Sequence, residues 1–312
     1  MSKKKSYNGP SKKGGIWTYE IETWKEFCNL LFNKFEILPQ KEDNRNSKDF
    51  VWRGHRCANW HLISAFDRVF GTESIIQRKA KLKTHLDSYA YAVRGRLTEV
   101  GLTVSDIKTS IKQGALNKNH LWAIAQHYKL PTPLLDWTTS PFCAAYFAFE
   151  EAIYLDDLQW KKLTDKKAKT IRESKTEKVA EKIKKSLPAQ DRVVIGLKYK
   201  TLCRATKRVE YFSPMSSEFT RLINQRGLFT IAAYGEDIEE IIKEVFPDKE
   251  DGPWLVKIKL PQELREVFLR QLNLMNINHM SLFPNLEGSS RFCEIGLELE
   301  DYALFPGQDP EL

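Results

Sequence analysis

The chain has 312 residues, 42% of them hydrophobic and 12% aromatic, enough apolar content for the core of one large or two modest globular domains. No apolar run approaches the roughly 20 residues of a membrane-spanning helix, so no membrane partner is expected and the location reads as cytoplasmic. The net charge of +8 favours a polyanionic partner. Five cysteines, at 28, 57, 143, 203 and 293, are scattered without a CxxC pair. That pattern argues against a disulfide framework and against a structural zinc site, and no metal is expected.

Residues 1–15, MSKKKSYNGPSKKGG, lack the apolar core of a signal peptide and read as a disordered basic lead-in. From Trp17 to Phe35, apolar residues recur at three and four, which predicts an amphipathic helix with Thr23 near its start. Lys41 to Lys48 is a polar loop, and Phe50-Val51-Trp52 a short strand running into Arg53-Gly54. A glycine there permits close approach of a ligand or a neighbouring chain. His61 to Phe66 is a second short apolar run, and 73–99 reads as a helix ended by Gly101. Ser105 to Gln113 and Asn119 to His127 are short helices. Leu134-Leu135 is a very short buried strand, and Thr138, Thr139 and Ser140 are candidate caps before a helix opening at Pro141.

Tyr154 to Pro188 reads as a basic helical excursion. Lys161 to Lys185 alone carries eleven Lys/Arg against four acids, so the basic signal is local. Strands are expected at Val193–Tyr199 and Leu255–Leu260, with a helix turn and a β-rich run between Phe219 and Ala233. Helices are expected at Asp237–Val245 and Pro261–Asn273, and a short strand from Ile277 leading into the turn that ends at Gly288. Helices and strands mix without strict alternation, which predicts an α+β fold. A single domain over 16–312 with a helical insertion at 155–190 is the expected organisation.

Four blocks occur in order: Trp52-Arg53-Gly54, HYKLPTPLLDWTTSP at 127–141, NQRGLF at 224–229 and LFPNLEG at 282–288. Together they resemble the FRG domain, whose corresponding blocks read (F/Y/W)-R-G, HYGLPTRLLDWT-x-SP, Q-x-G-x-F and LFPDLDG. This sequence departs from that pattern at Lys129, Pro133, Asn285 and Glu287. An arginine ending an early strand, followed by a T-x-S-P-x-x-A-x-x-FA block, also resembles the ADP-ribosyltransferase fold. That likeness implies a split mixed sheet flanked by helices, with NAD as substrate. It implies that Arg53 and Thr138/Ser140 hold NAD, and that a late polar or acidic residue stabilises the transition state. Gln225, with Gly227 where a glutamate would lie, and Glu287 are the alternatives for that last role.

The chemistry suits these types. A guanidinium fork binds a diphosphate through paired charge-assisted hydrogen bonds, and a carboxylate stabilises the cationic sugar formed as nicotinamide leaves. Gly54 permits close approach, and His127 and Tyr128 can stack on or hydrogen-bond to nicotinamide or ribose. Blander readings stand beside these. Arg53 and Asp136 can be a structural ion pair, Thr138 and Ser140 simple caps, His127 a core residue and Glu287 a solvent-facing turn residue. The expected function is an NAD-dependent ADP-ribosyltransferase toxin acting on nucleic acid, RNA ahead of DNA, in bacterial phage defence with a neutralising antitoxin. A protein acceptor and a non-enzymatic nucleotide- or polyanion-binding module are the alternatives. Metal-dependent nuclease action is disfavoured, because Asp136, Glu150 and Glu151 lack metal-ligand spacing.

Overall fold

The computed structural model describes residues 9–35, 50–70, 74–92, 122, 123, 125, 126, 128–151, 191–213, 227–248, 252–299 and 302. Its frame is an eight-stranded mixed sheet with helices on both faces, an α+β architecture. The strands are β1 (Ser11–Lys13), β2 (Ile16–Glu20), β3 (Phe50–His55), β4 (Leu134–Thr138), β5 (Arg192–Lys198), β6 (Val209–Phe212), β7 (Gly227–Ala232) and β8 (Leu255–Leu260). They lie in the order β1-β2-β8-β5-β3-β4-β7-β6. Among the described strands, only the β2–β8 pairing is parallel.

The central strands are covered on both sides, which is why β5 reads as the nearly unbroken apolar run RVVIGLK. Val194 packs into the cluster on one face with α1 (Trp24–Lys34), α4 (Pro141–Phe149), α7 (Arg265–Leu274) and α9 (Leu286–Glu298). Val193, Ile195 and Leu197 pack on the other face with α6 (Ile238–Val245). That helix buries Ile238, Ile241 and Ile242, spaced three and four apart, while Asp237 caps its start by accepting from Glu239 N at 2.9 Å. Further helices among the described residues are α2 (Ala65–Phe70), α3 (Ile75–Ala92), α5 (Tyr199–Ala205) and α8 (His279–Leu282). Asp67 on α2 and Arg78 on α3 form a buried two-pronged ion pair, at 2.6 and 2.9 Å, and Arg78 also donates to Ala233 O after β7 at 3.0 Å.

A very close backbone contact in the core joins α4 to β3. A Cβ on Gly54 would fall 2.0 Å from Ala144 O and 2.6 Å from Ala148 N, so only glycine lets the helix lie this near the strand. Next to it, Trp52 lies over Gly196, its cross-strand partner in β5, where a Cβ would be 2.7 Å from the ring.

The structure departs from the sequence-based expectations at several elements. Residues 11–13, expected to be disordered, form the edge strand β1. The helix expected from Trp17 starts only at Trp24, because Ile16–Glu20 pairs with β8 and buries Ile16 and Tyr19. Thr23 marks the change by accepting from Glu26 N at 3.2 Å. The expected two-residue strand extends to Thr138, so Asp136 and Thr138 sit in the sheet rather than in a turn. The strand expected from Ile277 is instead two helices, α8 and α9, capped by Asn278 and Asn285. The expected helices at 105–113 and the basic excursion at 154–188 lie outside the described residues.

Gly54→Ala is expected to destabilise the fold by about 1–3 kcal/mol or more through overpacking against a helix backbone. Equilibrium chemical denaturation reads this directly.

Candidate functional site

Strands β3 and β4 are joined at a single residue pair, Trp52 with Thr138. On either side of the gap beside that pair, residues 52–56 and 136–138 line a cavity of about 390 Å³. Arg68, Gln126 and Trp60 line it too, and α4 contributes Phe147, Glu150 and Glu151 around its C-terminal end.

Arg53 bridges the gap. Its Nη1 donates to Asp136 O at 2.7 Å and stands 3.6 Å from the Asp136 carboxylate, while its Nε donates to His55 Nε2 at 2.9 Å. Burial lowers the proton affinity of Arg53 and the Asp136 charge opposes that effect. The group remains a cation, because a guanidinium does not deprotonate in this setting. Since Arg53 Nε is always a donor, His55 Nε2 must accept, and the imidazole carries its proton on Nδ1. Burial, then the Arg53 and Arg68 charges, push His55 down to about 2, so the ring is neutral. Asp136 is steadied from its other side by Gln126, whose amide donates to Oδ1 and whose carbonyl accepts from Thr132.

The remaining charges are unequal. Arg56 pairs with Glu151 and lies over the Trp60 ring at 5.0 Å, and Trp60 is 39% exposed. Among the described residues Arg68 has no carboxylate partner, and its charge is felt at both Arg53 and His55. The cavity therefore places the Arg68 guanidinium and an accessible indole in one lining that carries three arginines and three carboxylates.

The wall built by α4 is held at both ends. Ser140 caps the start by accepting from Cys143 N at 3.3 Å, with Pro141 at the first helical position. At the far end three guanidiniums take four consecutive carbonyls. Arg192 donates to Ala148 O and Glu151 O at 2.6 and 2.9 Å. Arg265 donates to Phe149 O and Glu150 O at 2.9 and 3.0 Å, and Arg291 to Glu150 O at 3.2 Å. Cations here both satisfy the orphan carbonyls and complement the helix dipole. Arg192 is fully buried, and burial lowers its guanidinium to about 10. The Glu150 side chain meets His279 Nδ1 at 3.2 Å, and Tyr146 Oη lies 3.2 Å from the same nitrogen.

The structure brings Arg53, Gly54, Asp136 and Thr138 together at the cavity. Gly54 also serves the α4 contact, and Thr138 Oγ1 accepts from Ser140 N at 3.0 Å. Ser140 acts as the helix cap and is not in the lining. Tyr128 is exposed and away from the cavity. Glu287 is likewise outside it, in the first turn of α9, bonded to Lys129 at 2.8 Å. His127 and Gln225 lie outside the described residues.

The sequence motifs do not include His55, Arg56, Trp60, Arg68 or Gln126 as site residues, and Glu150 enters only as a metal-ligand candidate without suitable spacing. Their proximity to Arg53 in the chain was the available signal for the first three. Nothing in the sequence pointed to Arg68.

Two motif positions have a backbone explanation. Asn285 caps α9 by accepting from Gly288 N at 2.8 Å, and a Cβ on Gly288 would fall 1.8 Å from Phe283 O. Asparagine in place of aspartate keeps that acceptor. Lys129 has φ +64°, in the left-handed region, where the resembled pattern has glycine. Lys129→Gly is therefore expected to be more stable than Lys129→Ala by about 1 kcal/mol, since both lose the ion pair and only alanine keeps the strain. Parallel urea melts of the two variants measure the difference.

Residues 48–156 match the family model described as the FRG domain. No curated protein and no solved structure matches the chain. The matched segment contains β3 with Arg53, β4 with Asp136, and all of α4. The blocks at 224–229 and 282–288 lie beyond it. This segment of the chain is thus similar to the FRG domain.

Proposed function

We propose that the cavity binds NAD and that the protein transfers ADP-ribose from it to a nucleic acid, RNA ahead of DNA. The observation that carries this reading is the pair of guanidiniums, Arg53 and Arg68, the latter with no carboxylate partner among the described residues, on a cavity that also exposes Trp60. Arginine forks suit phosphate oxygens, and an accessible indole suits a flat heteroaromatic ring. In the reaction the ribose C1′–N1 bond breaks, and its electron pair leaves with nicotinamide. A hydroxyl or amine of the acceptor bonds to C1′ and gives up its proton. Carboxylates near the sugar stabilise the positive charge that develops there.

The acceptor assignment rests on the +7 excess of residues 161–185, since lysine-rich segments bind phosphate backbones by releasing counterions. The flanking residues support it. Glu151 lines the cavity, and Asp191 O accepts from Ala58 N at 2.8 Å, two residues beyond the lining residue Arg56. A role as a toxin restrained by an antitoxin in phage defence belongs to the same proposal. A second reading is favoured by the engagement of Arg53 with Asp136 O and His55. In it, the module binds a nucleotide and leaves it intact.

Incubating the protein with labelled NAD and, separately, RNA, DNA and lysate protein tests these readings. The proposal expects label on RNA, lowered about 10- to 100-fold by Arg68→Ala, the loss of one charge-assisted contact. Label on protein alone overturns the acceptor. Unaltered NAD with no nicotinamide released favours the binding module.

A further inference from the structure

The carboxylates around the cavity differ in what they are bonded to. Glu151 is paired with Arg56, and Asp136 is held by Gln126 and stands near Arg53. Glu150 meets His279 through Oε2, and among the described residues Oε1 has no hydrogen-bond partner. Its side chain is 19% exposed, and the residue lines the cavity.

Its placement is unusually constrained. Arg265 and Arg291 fix its backbone carbonyl, as described above. His279 stacks on Phe283 at 4.1 Å with an 8° interplanar angle, and Phe283 lines the same cavity. Behind them Tyr146 is fully buried, and burial raises its phenol far above the ordinary range, so the hydroxyl keeps its proton. A fixed carboxylate oxygen in a cavity that also carries arginines imposes a condition on the ligand. An anion bound at Arg53 and Arg68 is repelled by Glu150 unless it presents hydrogen-bond donors to it.

We infer that Glu150 is the specificity-determining residue of this cavity: it accepts hydrogen bonds from the hydroxyls of a ribose whose phosphates lie at Arg53 and Arg68, and His279 is the positioning residue that orients it. The inference rests on the nucleotide reading above and adds a ligand class, ribonucleotides carrying free sugar hydroxyls. Phosphate alone then meets Arg53 and Arg68 and offers Glu150 no hydroxyl.

Titration calorimetry with ADP-ribose and with inorganic pyrophosphate separates the contributions. Glu150→Gln is expected to weaken ADP-ribose at least tenfold while pyrophosphate binds as well as, or better than, in the wild type. His279→Gln is expected to weaken ADP-ribose less than Glu150→Gln does, again with pyrophosphate unaffected. A fold defect would instead lower both affinities and the melting temperature, and that pattern overturns the specific role. Equal ADP-ribose affinity in wild type and Glu150→Gln overturns the inference while the cavity reading stands. Failure of the wild type to bind either probe overturns both.

Discussion

The site depends on the contact between α4 and β3 at Gly54. Because no side chain stands between them, the helix backbone at Ala144 and Ala148 lies directly on the strand. That approach explains the small residues Ala144, Ala145 and Ala148 in PFCAAYFAF, all fully buried. It also sets where the helix ends. Glu150 and Glu151 emerge on the wall facing the residues that follow Gly54, so a packing constraint in the core becomes a placement of charge in the cavity.

Two further constraints act on the same place. The single β3–β4 pairing at Trp52 and Thr138 leaves backbone groups that a longer ladder would have used, and Arg53 takes one of them, the Asp136 carbonyl. Three guanidiniums hold the end of α4, one of them fully buried. Burying a cation without a carboxylate partner is costly, and the carbonyls of a helix end offset that cost through hydrogen bonds and the dipole. Much of the positive charge around the cavity is thus structural. Arg68 is the exception, since it meets no carboxylate among the described residues.

The parts of the fold that were legible in the sequence are those where one physical signal dominated. The double-sided burial of β5 and β8 and the isoleucine face of α6 with its Asp237 cap are of this kind. The errors came from short apolar runs, where spacing alone does not separate strand from helix. Ile277 to Gly288 looked strand-like because its two asparagine caps carry the helical signal and its apolar residues do not. Trp17 to Glu20 was read as helix because its pairing partner, β8, is more than two hundred residues away. At the site, Arg53 and Asp136 were visible from the motif, but Arg68 and Gln126 reach the cavity through tertiary packing. Thr138 and Ser140 illustrate the opposite case, since their local capping chemistry is present whatever else they do.

The most direct test of the account is amide hydrogen exchange on the whole chain with and without saturating ADP-ribose. Binding in the cavity predicts added protection at residues 52–56, the end of β4 at 136–138 and the end of α4 at 147–151. Protection elsewhere, with these three segments unchanged while ligand is bound, would contradict it.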